Sequence, residues 1–116
     1  MYILGISAFF HDSSVSLIRD GKIITAIQEE RLTRIKHDSS FPLKSIIFTL
    51  KSNNLSLKEI DYFVFYEKPF LKFERLLETY LAFVPRGLRS FITSIPVWLK
   101  EKLFQKNLII SELKKI

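Results

Sequence analysis

Two short stretches of this chain hold the side chains best suited to proton transfer and anion binding. The first is Gly5-Ile6-Ser7-Ala8-Phe9-Phe10-His11-Asp12-Ser13-Ser14, which brings an imidazole, a carboxylate and several hydroxyls together. Histidine exchanges protons near neutral pH, and a neighbouring carboxylate can orient it or favour its charged form. A turn of this composition also offers backbone N–H groups to an anion. The plainer alternative is that Asp12 and Ser13 only satisfy the backbone of their own turn. The second stretch is Gln28-Glu29-Glu30-Arg31-Leu32-Thr33-Arg34-Ile35-Lys36-His37-Asp38. Here Arg31, Arg34 and Lys36 can clamp a phosphate or carboxylate, arginine through a bidentate fork and lysine as a mobile point charge. These charges can equally neutralise one another in a solvated loop.

His11 and His37 match no zinc-ligand spacing, and the chain has no cysteine to complete one, so no metal site is assigned within it. Walker loops, dinucleotide fingerprints and nucleophile elbows are likewise missing from the sequence.

The elements that must hold these stretches follow from apolar periodicity. Residues 2 to 7 form a short apolar run, and residues 14 to 19 place Val15 and Leu17 in alternation, so both read as strands. Asp20-Gly21 separates the second run from Lys22-Ile23-Ile24-Thr25-Ala26-Ile27 and suits a type I′ turn. The first polar stretch thus joins two strands, and the second follows a hairpin at a strand end, where open α/β sheets place ligand loops. From Gln28 to Phe41 no apolar period is evident. Leu43, Ile46, Ile47 and Leu50 then share a helical face after Pro42, with Asn53-Asn54 as a left-handed stop. Ser56-Leu57-Lys58-Glu59 has capping-box spacing. The unbroken apolar run Tyr62-Phe63-Val64-Phe65-Tyr66 reads as a strand inside the sheet, next to the first. Beyond Pro69, Phe70, Phe73, Leu77 and Tyr80 make one helical stripe, and Leu99, Leu103, Ile110 and Leu113 make another after Pro96. Pro85, Gly87 and Pro96 punctuate this segment. The expectation is an α/β fold: a mixed sheet of a three-strand meander, a helix and a fourth inner strand, with helical C-terminal cover. Residues 1–116 then form a single partial domain, with 1–66 holding the sheet and 67–116 the amphipathic helices.

At 116 residues, one core is the ceiling. Eleven Phe against three Gly and four Pro exclude a disordered or fibrous chain. The absence of cysteine removes disulfides and thiol catalysis and fits a cytoplasmic location. Secretory-signal features and a membrane span are not found in the sequence. The net charge of +6 is uneven: residues 1–66 hold eight basic and seven acidic groups, residues 67–116 ten and five. The basic tail can attract phosphates or anionic lipid, or can simply solvate the outer faces of helices. The amphipathic pattern still runs at Lys114-Lys115-Ile116, so the natural architecture is expected to continue.

Taken in order, Ile3-Leu4-Gly5-Ile6-Ser7-Ala8, His11-Asp12-Ser13, Asp20-Gly21 and Glu29-Glu30-Arg31-Leu32-Thr33-Arg34-Ile35-Lys36-His37-Asp38 resemble the start of the O-carbamoyltransferases, the NodU-like and antibiotic-modifying enzymes. The resemblance continues through Tyr66-Glu67-Lys68-Pro69-Phe70 and Pro85-Arg86-Gly87. It implies an incomplete half of an actin and sugar-kinase-like (ribonuclease H-like) domain. It implies transfer of a carbamoyl group from carbamoyl-adenylate, made from carbamoyl phosphate and ATP in a separate carboxy-terminal domain, to a hydroxyl-bearing small molecule. His11 and Asp12 would line the transfer site, with His11 assisting hydroxyl deprotonation. Lys36 and Arg34, with Arg31 and Ser13, would bind the anionic donor. The family's metal ion would be held by a His-x-x-x-His motif and other residues beyond Ile116, leaving no cofactor in this chain. Leu32 stands where the family usually has an aromatic, and Ser7 where related domains often carry an acid.

Three readings follow: an amino-terminal carbamoyltransferase fragment inactive alone, a small basic module for nucleic acid or anionic membrane, or a stub without biochemical role. The first expects neither a nucleic-acid partner nor a membrane span, and leaves the oligomeric state open.

Overall fold

The computed structural model describes residues 1–67, 69–100 and 104–116. It contains two compact units, Met1–Tyr66 with Lys115–Ile116, and Glu67–Lys114.

The first unit is a four-stranded sheet with a helix on one face. Strands β1 (Tyr2–Ser7), β2 (Ser14–Arg19) and β3 (Lys22–Gln28) run as an antiparallel meander, and β4 (Tyr62–Phe65) pairs parallel to β1, giving the order β3-β2-β1-β4. Asp20 and Gly21 both take positive φ, 48° and 80°, as a type I′ turn between β2 and β3 requires. A single helical turn, α1 (Glu30–Thr33), follows β3, where the sequence shows no apolar period because the turn buries none of its own residues. Helix α2 (Leu43–Ser52) begins directly after Pro42.

Side chains alternate along each strand, so Leu4 opposite Leu17 and Ile6 opposite Val15 share one face. All four are buried, and α2 supplies Ile46 and Leu50 to the same core. The amide of Asn53, at the end of α2, donates to Thr25 Oγ1 of β3 at 2.8 Å. Asn54 provides the left-handed stop at φ 53°. The Ser56 capping box forms with both reciprocal bonds to Glu59. The backbone of Asp61 then joins β4 to Tyr2.

One expectation needs correction. Strand β4 lies beside β1, but at the sheet edge rather than inside, and Tyr62, Phe63 and Val64 are all substantially exposed. An unbroken apolar run reports the absence of polar groups on either face; it does not report how many strands flank it.

The second unit holds α3 (Pro69–Phe83), α4 (Leu88–Trp98) and α5 (Gln105–Leu113). The rings of Tyr80 and Phe91 stack at 3.9 Å between α3 and α4. Gly87, at φ 79°, precedes α4. Pro96 sits within α4 instead of before the next helix. Proline removes only one donor from a helix, and the surrounding bonds can carry the element through it. Lys68 and Leu103 lie outside the described residues, as do the side chains of Phe70 and Trp98.

Candidate functional site

The turn between β1 and β2 and the loop after α1 are bound into one structure by backbone hydrogen bonds. Phe9 N–H donates to Ser39 C=O at 2.9 Å, and Ser13 N–H donates to Asp38 C=O at 2.8 Å. Glu29 N–H donates to Ser13 C=O at 2.8 Å. The Phe9 and Phe41 rings stack across the same junction. Phe9, Asp12, Arg34 and His37 all have positive φ, which marks sharp reversals of the chain on both sides of the junction.

Two carboxylates support the assembly from below. Buried Glu29 accepts the backbone N–H groups of Lys44 and Ser45 at 3.1 and 2.8 Å and the Ser45 hydroxyl at 2.6 Å. It therefore satisfies orphan donors in the first turn of α2 from another part of the chain, with its negative charge at the helix's positive end. Buried Asp38 accepts the Thr33 hydroxyl at 2.8 Å, the Ser40 N–H at 2.9 Å and the Ser40 hydroxyl at 2.6 Å. The Ser40 hydroxyl, then the Ser40 N–H, then Thr33 hold its carboxyl below the usual carboxylate range.

On this base Asp12 bridges two imidazoles. Its Oδ1 lies 2.8 Å from His37 Nδ1, and its Oδ2 lies 2.9 Å from His11 Nδ1. The hydrogen bond with His37 is the main cause that lowers the Asp12 pKa, and the same bond raises that of His37. In the neutral tautomer that donates its Nδ1–H to Asp12, His11 presents Nε2 as a free base. Both rings are exposed and Asp12 is partly so, leaving the group accessible to a ligand.

Of the residues singled out in the sequence, His11 and Asp12 meet directly. Arg34 and Lys36 are exposed on the joined loop. Arg31, also exposed, lines an open groove of about 540 Å³ on the sheet face away from α2. The floor of that groove is the row Ala26, Ser16, Gly5 and Val64 across the four strands, with Ser7 and Gln28 beside it. Ser13 is fully buried, and its hydroxyl finds no hydrogen-bond partner among the described residues, so it serves the junction through its backbone. Sequence reasoning gave His37 no role. Its neighbour Lys36 carries the permanent charge and drew the anion argument, and nothing in linear spacing places residue 37 on Asp12.

Comparison with known proteins bears on what this geometry serves. The sequence matches the family described as "Carbamoyltransferase N-terminus" over residues 2–116. It is 60% identical over 108 residues to the uncharacterized protein sll1178 of Synechocystis, covering 93% of this chain and 18% of that protein. It is 42% identical over 60 residues to the nodulation protein NolNO of Sinorhizobium fredii, covering 52% of this chain and 9% of that one. A 19.2 kDa uncharacterized protein encoded in the syrM 5′ region of Rhizobium etli is 38% identical over 60 residues, 52% of this chain and 35% of its own. The chain thus spans less than a fifth of sll1178 and of NolNO. Because the family match runs through both structural units and embraces the His11 turn and the Lys36 loop alike, the chain belongs to the carbamoyltransferase N-terminus family.

Proposed function

We propose that this chain supplies the acceptor-activating wall of a carbamoyl-transfer site within an actin-like half-domain, working in the cytoplasm with parts contributed from outside residues 1–116. The observation that carries this reading is the Asp12 bridge between His11 and His37, in a chain of this family. His11 Nε2 takes the proton of an acceptor hydroxyl as its oxygen attacks the carbamoyl carbon of carbamoyl-adenylate. A new C–O bond forms, the bond from the carbamoyl carbon to the phosphate oxygen breaks, and AMP leaves. Asp12 fixes the imidazole and stabilises the imidazolium that results. Arg34 and Lys36, exposed on the loop that carries His37, and Arg31, exposed on α1, would offer positive charge to the phosphate of the donor. ATP and carbamoyl phosphate would be consumed elsewhere to make that donor. The acceptor is a small molecule bearing a hydroxyl group.

The test is a chimera in which residues 1–116 replace the matching segment of a longer, active carbamoyltransferase. His11→Ala should slow transfer by about 10²–10⁴-fold while leaving adenylate formation intact, since general acid–base groups contribute on that scale. Transfer at the unmutated rate would reject the assignment.

A further inference from the structure

Three side chains from three separate segments converge beside the Asp12 bridge. Asp12 comes from the β1–β2 turn, Glu30 from α1 and His37 from the following loop, and one potential ligand atom of each lies within 4.8 Å of the other two. Donors bound at about 2.1 Å to an octahedral ion stand about 3.0 Å apart when cis and about 4.2 Å apart when trans. His37 Nδ1 and Asp12 Oδ1, at 2.8 Å, are already at a cis separation. Glu30 offers an oxygen within 4.8 Å of the other two, so drawing it in to the cis separation of a three-ligand face takes about 2 Å of side-chain movement.

We propose that Asp12, Glu30 and His37 bind a divalent cation of the Mn²⁺ class. The donor chemistry selects the ion: carboxylates suit magnesium, calcium and manganese, and imidazole suits the later first-row metals, so two carboxylates with one imidazole favour the middle of that range. Two carboxylates and a neutral ring also match a dication in charge. The supporting contacts have the form expected around metal ligands. His11 holds Asp12 by its other oxygen, and the His37 N–H donates to Glu30 Oε2 at 2.9 Å. Asp12 and Glu30 are thus each oriented by a group that does not compete for the ion. Binding exchanges the hydrogen bond between His37 and Asp12 for two metal bonds, and a ring that enters as imidazolium releases its Nδ1 proton to solvent. The ligand side chains are at least partly exposed, so water or a ligand oxygen can take the remaining positions. Linear spacing concealed this set because its members lie 18 and 7 residues apart on three different segments. The inference rests on this geometry alone and stands or falls separately from the transfer reading.

Electron paramagnetic resonance of Mn²⁺ titrated into the 116-residue chain tests it, because the free aqua ion's signal is lost on binding. Saturable binding of one ion per chain is expected. Glu30→Gln and His37→Gln should each weaken it about tenfold or more, whereas Glu74→Gln, the same charge change on α3, should leave it intact. Circular dichroism establishes that the variants keep their fold. Paramagnetic broadening in the unmodified protein provides a readout free of mutation: the His37 ring resonances should vanish first. No saturation up to millimolar Mn²⁺, equal affinity in His37→Gln, or uniform broadening across the chain would each overturn the proposal.

Discussion

His37 Nδ1 lies 2.8 Å from Asp12 Oδ1, a contact that spans 25 residues of sequence and joins the two polar loops of the sheet at their tips. Its strength depends on protonation. Asp12 raises the His37 pKa, so the ring's contribution is fully present below the ordinary histidine value of about 6.5 and is lost as pH rises through the elevated folded value. The pKa of Asp12 is lowered, so its contribution is present above the ordinary carboxylate value and is lost as pH falls through the depressed folded one. The junction is therefore tightest between the ordinary carboxylate and ordinary histidine values, and weakens beyond them as pH falls toward the depressed Asp12 pKa or rises toward the elevated His37 pKa. In metal-free buffer, a ¹H–¹³C titration of the ring should show His37 titrating above an unstructured histidine. Asp12→Asn should return it toward the ordinary value, and an unshifted His37 in the unmodified chain would mean that the contact does not persist in solution.

A second expectation concerns Glu29, whose carboxylate receives two backbone donors and a hydroxyl from the first turn of α2. Glu29→Ala removes all three acceptor contacts and leaves buried N–H groups without partners. Hydrogen bonds to a charged group each contribute about 1.5–3 kcal/mol, and part of that is recovered by relaxation, so a loss of about 3 kcal/mol is expected in urea unfolding. Glu29→Gln, which keeps an acceptor oxygen, should cost less. A loss below about 0.5 kcal/mol in Glu29→Ala would show that the helix start is satisfied in another way.

Glu29 also shows where sequence reading stops. The meander, the Asp20-Gly21 turn and the Ser56 capping box were legible because each depends on residues close in sequence, whose conformational preferences decide the local geometry. The core residues Val15 and Leu17 were legible from alternation and Ile46 and Leu50 from helical period, whereas Leu4 showed only as part of an apolar run. Glu29, in contrast, lies in a run of charges that reads as a solvated loop, and its buried role follows only once β3 delivers it to the start of α2. Asp38 and His37 were obscured for the same reason. The edge position of β4 could not be read because pattern reports polarity and is silent about neighbours.

The acid limb of stability should carry the signature of Asp38. Its pKa is depressed chiefly by the Ser40 hydroxyl, so its contribution is present above the ordinary carboxylate value and disappears as pH falls through the lowered one. Ser40→Ala removes the first of its causes and should move the acid unfolding midpoint to higher pH. Unfolding followed by circular dichroism from pH 6 to pH 2 measures this. An unchanged midpoint would mean that the Ser40 N–H and Thr33 hold the carboxylate without the hydroxyl.

The roles given to His11 and Lys36 separate kinetically. In the proposed reaction His11 contacts the proton in flight, so its removal should act on kcat, because that interaction would exist only as the hydroxyl is activated. Lys36 is exposed on the loop, and in the proposed reaction it would meet a phosphate already charged beforehand, so Lys36→Ala should mainly raise the KM for carbamoyl-adenylate. A loss of one charge-assisted contact corresponds to about 1.5–3 kcal/mol, or roughly a 10–150-fold rise in KM when binding is at equilibrium. Lys36→Arg should recover part of it, since charge is restored and only its geometry changes. In the chimera, single-turnover measurements with preformed donor separate the two constants. If Lys36→Ala instead lowered kcat alone with KM unchanged, the side chain would be stabilising the charge that develops on the departing phosphate, and the lysine would belong to the chemical step beside His11.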